Sequence, residues 1–193
     1  MDPIHGNLAI VVPIAVVVVL VIGAVVGFVT MTASKKRGGA VLRWAHGAYS
    51  LWTGGEDSAS WQPERAQNAF RDWYGARAGG TAQNVIDDLI RGQTGNAAWD
   101  LVRALDLVRM GVAAGYLDAD QCRERCARIG KQLQAQYGGW DALAVAFEQG
   151  MQAWQRGRGV TDPNELGRVQ RNLPKLRAEV WPAIPYDTAL SEE

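Results

Sequence analysis

Few residues in this chain have both the type and the spacing that chemistry demands. There are two histidines. His5 stands near the N-terminus, and His46 stands alone in a helical stretch, where it reads as a polar helix-face residue rather than a base or a ligand. Cys122 and Cys126 are four apart. A zinc site needs further Cys or His ligands at suitable spacing, and none accompany them. A redox pair usually reads Cys-x-x-Cys at a helix start. Here both fall on the apolar stripe of a helix, where Cys acts as a small hydrophobe. Arg123, Arg125 and Arg128 would depress a thiol pKa if they faced it, but helical spacing points them largely elsewhere. Asp87-Asp88 and Asp118 with Asp120 are the carboxylate clusters. Neighbours on a helix point about 100° apart, so Asp87 and Asp88 are poorly arranged to share a substrate. They read as a solvated face, and Asp118 as a helix cap. No phosphate-cradling glycine loop, nucleophile elbow or zinc-helix signature occurs. The sequence therefore predicts no catalytic residue, no cofactor and no metal.

Asp100, Arg103, Asp106 and Arg109 are charges spaced by three along one helix. That spacing predicts two ion pairs on a wet face, and this is the candidate polar surface site of the chain. Between Arg156 and Arg177 basic residues outnumber acidic ones, which reads as a solvated face or a contact for anionic lipid or an acidic partner. Tryptophan is over-represented, with eight copies. Those at helical spacing read as core. Trp44, Trp52 and Trp61 could instead sit at a bilayer surface or form an interaction patch.

The elements that must position these residues are helices. No stretch shows sustained period-two alternation, and Gly-rich joints punctuate the pattern at Gly38-Gly39, Gly54-Gly55, Gly79-Gly80, Gly92 to Gly95 and Gly138-Gly139. Helices are predicted over 40–52, 63–74 (opened by Pro63), 81–91, 97–114, 119–137, 140–156 and, shorter, 163–172. In 97–114, Leu101, Leu105, Val108 and Val112 advance by four, three and four, and Gly115 stops the helix. Asp118 caps the next, with Gln121 three later. Pro182 and Pro185 predict an extended tail that packs Trp181 and Tyr186 back onto the bundle.

Ahead of these lies Leu8 to Met31, an apolar run with one proline, Pro13, and no formal charge between Asp2 and Lys35. As a helix it reaches roughly 36 Å, enough to cross a hydrocarbon core of about 30 Å. A cleaved signal peptide would need a basic n-region and a shorter apolar stretch. The fold class predicted is all-α: an N-terminal transmembrane helix, 8–32, followed by a compact soluble helical bundle of about six helices. Residues 1–7 form a short extracytoplasmic tail, 33–39 a basic linker and 40–193 the helical domain. Lys35, Lys36 and Arg37 place that domain in the cytoplasm and are candidate lipid-headgroup contacts. Gly23 and Gly27 form a small-residue pair that another membrane helix could pack against, giving a route to a homo-oligomer. Formal net charge is zero, which argues against a general nucleic-acid partner. Two cysteines fit a reducing compartment and no disulfide framework.

Several motifs resemble a bacterial family catalogued as a domain of unknown function, number 1266. Trp99-Asp100 with Arg103 opens one helix, and Ala114-Gly115-Tyr116-Leu117 ends it. Gly139-Trp140-Asp141 opens another, with Gly150 four before Trp154. Trp73-Tyr74-Gly75 and Trp181-Pro182 resemble the flanking elements. Trp99, Gly115, Tyr116, Trp140, Gly150, Trp154 and Trp181 are the structural positions this resemblance implies. Where the family usually shows Arg after that Gly, this chain has Met151. Members are small α-helical proteins, some similar to immunity or accessory proteins of contact-dependent and type VI secretion systems, an association rather than a mechanism. The function expected is a non-catalytic binding protein anchored in the bacterial inner membrane, most concretely an immunity protein against an interbacterial toxin. The partners expected are the bilayer and a cognate toxin or membrane-complex subunit. The alternatives are an envelope enzyme or regulator with a small-molecule pocket in the bundle, or a scaffold subunit of a membrane machine.

Overall fold

The computed structural model describes residues 39–159 and 162–191, and these are helix and turn with no strand among them. Helix α1 covers 39–53. It is followed by α2 (Pro63–Tyr74), α3 (Gly79–Ile90), α4 (Ala97–Ala113), α5 (Ala119–Gln136), α6 (Trp140–Gly157) and α7 (Pro163–Lys175). A 3-10 turn, Ser58–Ser60, lies between α1 and α2. The predicted membrane helix, with Gly23, Gly27, Lys35, Lys36 and Arg37, lies outside the described residues. Among those described, no helix is long and apolar enough to cross a membrane.

Local chemistry sets most of the boundaries. Pro63 opens α2 where its missing N–H is not needed, and Gly75 closes it at φ 68°. Asp118 and Gln121 form the expected reciprocal cap of α5. Gly115, at φ 73°, lets the chain turn back so that the Tyr116 and Leu117 amides donate to the Gly111 carbonyl.

Helix α4 is the centre of the bundle, packed against α3, α5, α6 and the Ser58–Ser60 turn. This corrects one expectation. The four-three-four advance predicts an apolar stripe opposite a wet face, but α4 is covered on nearly every side. Asp100 is 0% exposed and Asp106 6%. Trp44 is likewise fully buried, which removes it from any surface patch.

The C-terminal region departs from the predicted short helix and extended tail. Helix α7 runs through Pro174 and passes into a π-helical segment, Leu176–Val180, and then a 3-10 turn, Trp181–Ala183. Proline removes one amide from the ladder, and the wider π turn follows directly after it. Burial of Val169, Leu176 and Trp181 holds the path. Pro182 sits in the first turn of the 3-10 segment, where it costs no hydrogen bond. The expected return of the tail is present. Trp181 stacks on Trp140 (ring centres 5.6 Å apart, planes 6°), and its Nε1 donates to the Gly47 carbonyl. Tyr186 stands edge-on to Trp140, and its hydroxyl donates to the Leu133 carbonyl.

Candidate ligand-binding cavity

Trp99 and Arg103 lie one turn apart on α4 and therefore share a face. Gly150 and Trp154 have the same relation on α6. The two helices meet at Gly150, where an added Cβ would fall 2.3 Å from Asn96 Oδ1 and 2.7 Å from Trp99 Cβ. Only glycine fits there, since a side chain would strike both the cap of α4 and its first aromatic. That cap is Asn96, whose Oδ1 accepts from the Trp99 amide. One residue on, buried Asp100 accepts from the Thr94 amide (2.7 Å) and hydroxyl (2.9 Å), fixing the loop before α4.

Beside this junction is a cavity of about 940 Å³. Trp52 from the end of α1, Trp73 and Tyr74 from the end of α2, and Trp99 and Trp154 supply its aromatic walls. Arg103 from α4, Arg158 just past α6 and Arg168 from α7 supply its cations. Each guanidinium lies over a ring. Arg103 is 4.9 Å from the Trp99 ring centre and 5.9 Å from that of Trp154. Arg158 lies 5.0 Å from Trp154, and Arg168 4.1 Å from Trp52. Arg103 also donates to the Tyr74 hydroxyl at 3.3 Å. The one carboxylate among the lining residues is Glu165, which accepts from Gln155 Nε2. None of the three arginines forms an ion pair among the described residues. The site is therefore aromatic with an excess of two positive charges.

A family model described as Protein of unknown function (DUF1266) matches residues 40–185. The chain belongs to that family. No curated protein and no solved structure matches the chain. The DUF1266 match runs from α1 past the Trp181–Ala183 turn, so the whole cavity lies within it. Trp73, Tyr74, Trp99, Arg103, Gly150 and Trp154, which carry the sequence resemblance at three separate places, all line it. Trp140 and Trp181 instead hold the tail, and Gly115 and Tyr116 end α4. Met151 is fully buried and lies off the cavity wall, so the departure from the family's usual Arg removes no cation from it.

The four residues expected to form one polar surface site in the DUF1266 domain are separated by the structure. Arg103 alone lines the cavity, while Asp100 is buried and held by Thr94. Asp106 and Arg109 belong to a second, buried polar cluster. Ser58 donates to Asp106 at 2.7 Å, and burial, with the charges of Glu56 and Asp57 added, raises the Asp106 pKa from 3.8 to about 6. Arg109 pairs with Asp57 at 3.0 Å, and Asp57 also accepts from the Tyr49 hydroxyl. Burial opposes ionisation of Asp57, yet the hydrogen bonds from Arg109 and Tyr49 hold its pKa below the ordinary value. Each acid was claimed by a different element, so the expected ion pairs along α4 do not form.

Arg109 also donates to Cys122 Sγ at 3.7 Å. The Cys122 pKa is lowered to about 7, chiefly by a hydrogen bond from Cys126 and then, against burial, by the charge of Arg109; the Cys126 thiol is raised well above its ordinary value. The cation near the thiol comes from α4. Arg123 and Arg125 pair with Asp120 and Asp87 instead. Asp87 thus ties α3 to α5 rather than lying on a wholly solvated face. His46 meets the Gly55 carbonyl through Nε2 at 3.1 Å and lies edge-on to Tyr49, a local contact.

Arg158 and Arg168 are the cavity residues that sequence reasoning missed. Their signal was the basic excess of 156–177, but nothing in that stretch says which of its cations turn toward tryptophan.

Proposed function

We propose that this chain is a membrane-tethered, non-catalytic binding protein whose helical domain takes a small anionic ligand into the Trp–Arg cavity. The observation that carries this reading is the set of three guanidiniums laid over tryptophans around one open cavity, none of them in an ion pair among the described residues. Water-exposed arginines usually find a carboxylate or solvent. Here three face a concave aromatic site of the size that small-molecule pockets have. The uncharged run Leu8–Met31 supports the tether, and Lys35, Lys36 and Arg37 support a cytoplasmic domain at the bacterial inner membrane.

Native mass spectrometry of the chain, extracted from its host's membranes, tests the reading. The wild type is expected to carry a small adduct, and a double variant Arg158→Ala, Arg168→Ala to lose it. Both side chains are exposed, so the fold is retained. Equal adducts on the two proteins, or none on the wild type, would contradict it.

One observation favours a second reading, capture of a protein such as an interbacterial toxin. Trp73 is 62% exposed at the cavity rim, edge-on to Trp61, and exposed aromatics of this kind anchor protein interfaces. Deleting the gene should then sensitise the cell to a toxin encoded beside it. Unchanged resistance to every neighbouring toxin removes this reading.

A further inference from the structure

Resting on the reading of the cavity as a binding site, we propose that its ligand is a nucleoside phosphate. Three features of the cavity point to the same chemistry. The first is charge. Arg103, Arg158 and Arg168 against Glu165 leave two positive charges unmatched, and a phosphate monoester carries about −1.5 to −2 at neutral pH. A monocarboxylate would leave one cation idle. The second is the posture of the guanidiniums. They lie over Trp99, Trp154 and Trp52 at 4.9, 5.0 and 4.1 Å from the ring centres, against the cavity wall before any ligand arrives. Among the described residues their N–H groups make one hydrogen bond, from Arg103 to Tyr74. Planar guanidinium forks suit phosphate oxygens.

The third feature is an exposed ring without a cation over it, among the described residues, with polar groups nearby. Trp73 lines the cavity, is exposed, and has no guanidinium over it among the described residues. A nucleobase stacks on such a surface regardless of its identity. Asn96 spends its Oδ1 on the α4 cap, which leaves its amide N–H groups for a base edge. Gln93 offers a donor and an acceptor on the same rim. A phospholipid headgroup shares the phosphate but has no ring for Trp73.

The test is calorimetric titration of the full chain in detergent micelles. The probes are purine and pyrimidine nucleoside 5′-phosphates, the matching nucleosides, inorganic phosphate, a short-chain phosphatidylglycerol and an anilinonaphthalene sulfonate. At least one nucleotide should bind one to one, about tenfold or more tighter than its nucleoside, inorganic phosphate or the lipid. The double variant Arg158→Ala, Arg168→Ala should bring that affinity down to the nucleoside's. Trp73→Ala, also at an exposed position, should weaken the nucleotide and leave inorganic phosphate unchanged. A nucleoside that binds as tightly as its phosphate, or a lipid that binds tighter than any nucleotide, overturns the proposal. If no nucleotide binds but the aromatic sulfonate does, in an arginine-dependent way, the ligand class is wrong and the cavity remains a binding site. If neither binds, both readings fail.

Discussion

Asp106 is a charged residue placed where charge is costly. It is buried, it has Ser58 as its side-chain donor, and its pKa stands near 6. The folded state therefore holds the Asp106 proton more tightly than the unfolded chain does. Its contribution to stability is fully present below pH 3.8 and is lost as pH rises through about 6. Asp106→Asn keeps an acceptor for Ser58 and removes the titration. The variant should gain on the wild type as pH rises, by about 2–3 kcal/mol between pH 4 and pH 7.5, measured by denaturant unfolding at each pH. A difference that does not change with pH would show that burial of this carboxylate is not what titrates. Sequence reasoning named Asp106 but put it in water, because an i,i+3 pattern cannot show that Ser58, far off in sequence, reaches it.

The contact between α4 and α6 belongs to the scale of elements. Both helices were legible in the sequence almost to their ends, since Leu101, Leu105 and Val108 in α4 and the Gly138-Gly139 joint before α6 are local signals. What local signals do not carry is how many neighbours cover a helix. The sequence gives α4 one apolar side, and only the placement of α3, α5 and α6 around it explains why its acids are buried. The π segment after Pro174 was hidden for a similar reason: proline reads as a stop, and the burial of Leu176 and Trp181 overrides it. Gly150 sets the distance between α4 and α6. Gly150→Ala would drive a methyl into Asn96 and Trp99, and should cost about 2–4 kcal/mol as a loss of thermal stability. Gly157→Ala, at the end of the same helix with nothing within 4 Å, should change stability by less than about 1 kcal/mol. Equal effects at the two positions would mean that the helices are not in close contact at Gly150.

At the scale of the whole molecule, a net charge of zero conceals a local excess. The cavity draws on the ends of α1 and α2, the loop before α4, α4 itself, and α6 and α7 with the turn between them. Only the family motifs marked part of it in advance, through Trp73, Tyr74, Trp99, Arg103, Gly150 and Trp154. Arg158 and Arg168 were legible as basic residues but not as partners of tryptophan, because that depends on how α7 returns across α1. The tryptophans are unevenly placed. Trp44 and Trp99 are fully buried and Trp140 and Trp181 nearly so, while Trp52, Trp61, Trp73 and Trp154 reach solvent. Of these accessible four, all but Trp61 line the cavity. Collisional quenching of tryptophan fluorescence at fixed, low ionic strength therefore tests the central claim, an anion-seeking aromatic site, before any ligand is known. Iodide should quench the wild type more effectively than caesium, and Arg158→Ala with Arg168→Ala should shrink or abolish that preference. Caesium quenching the wild type as well as iodide does would contradict the account.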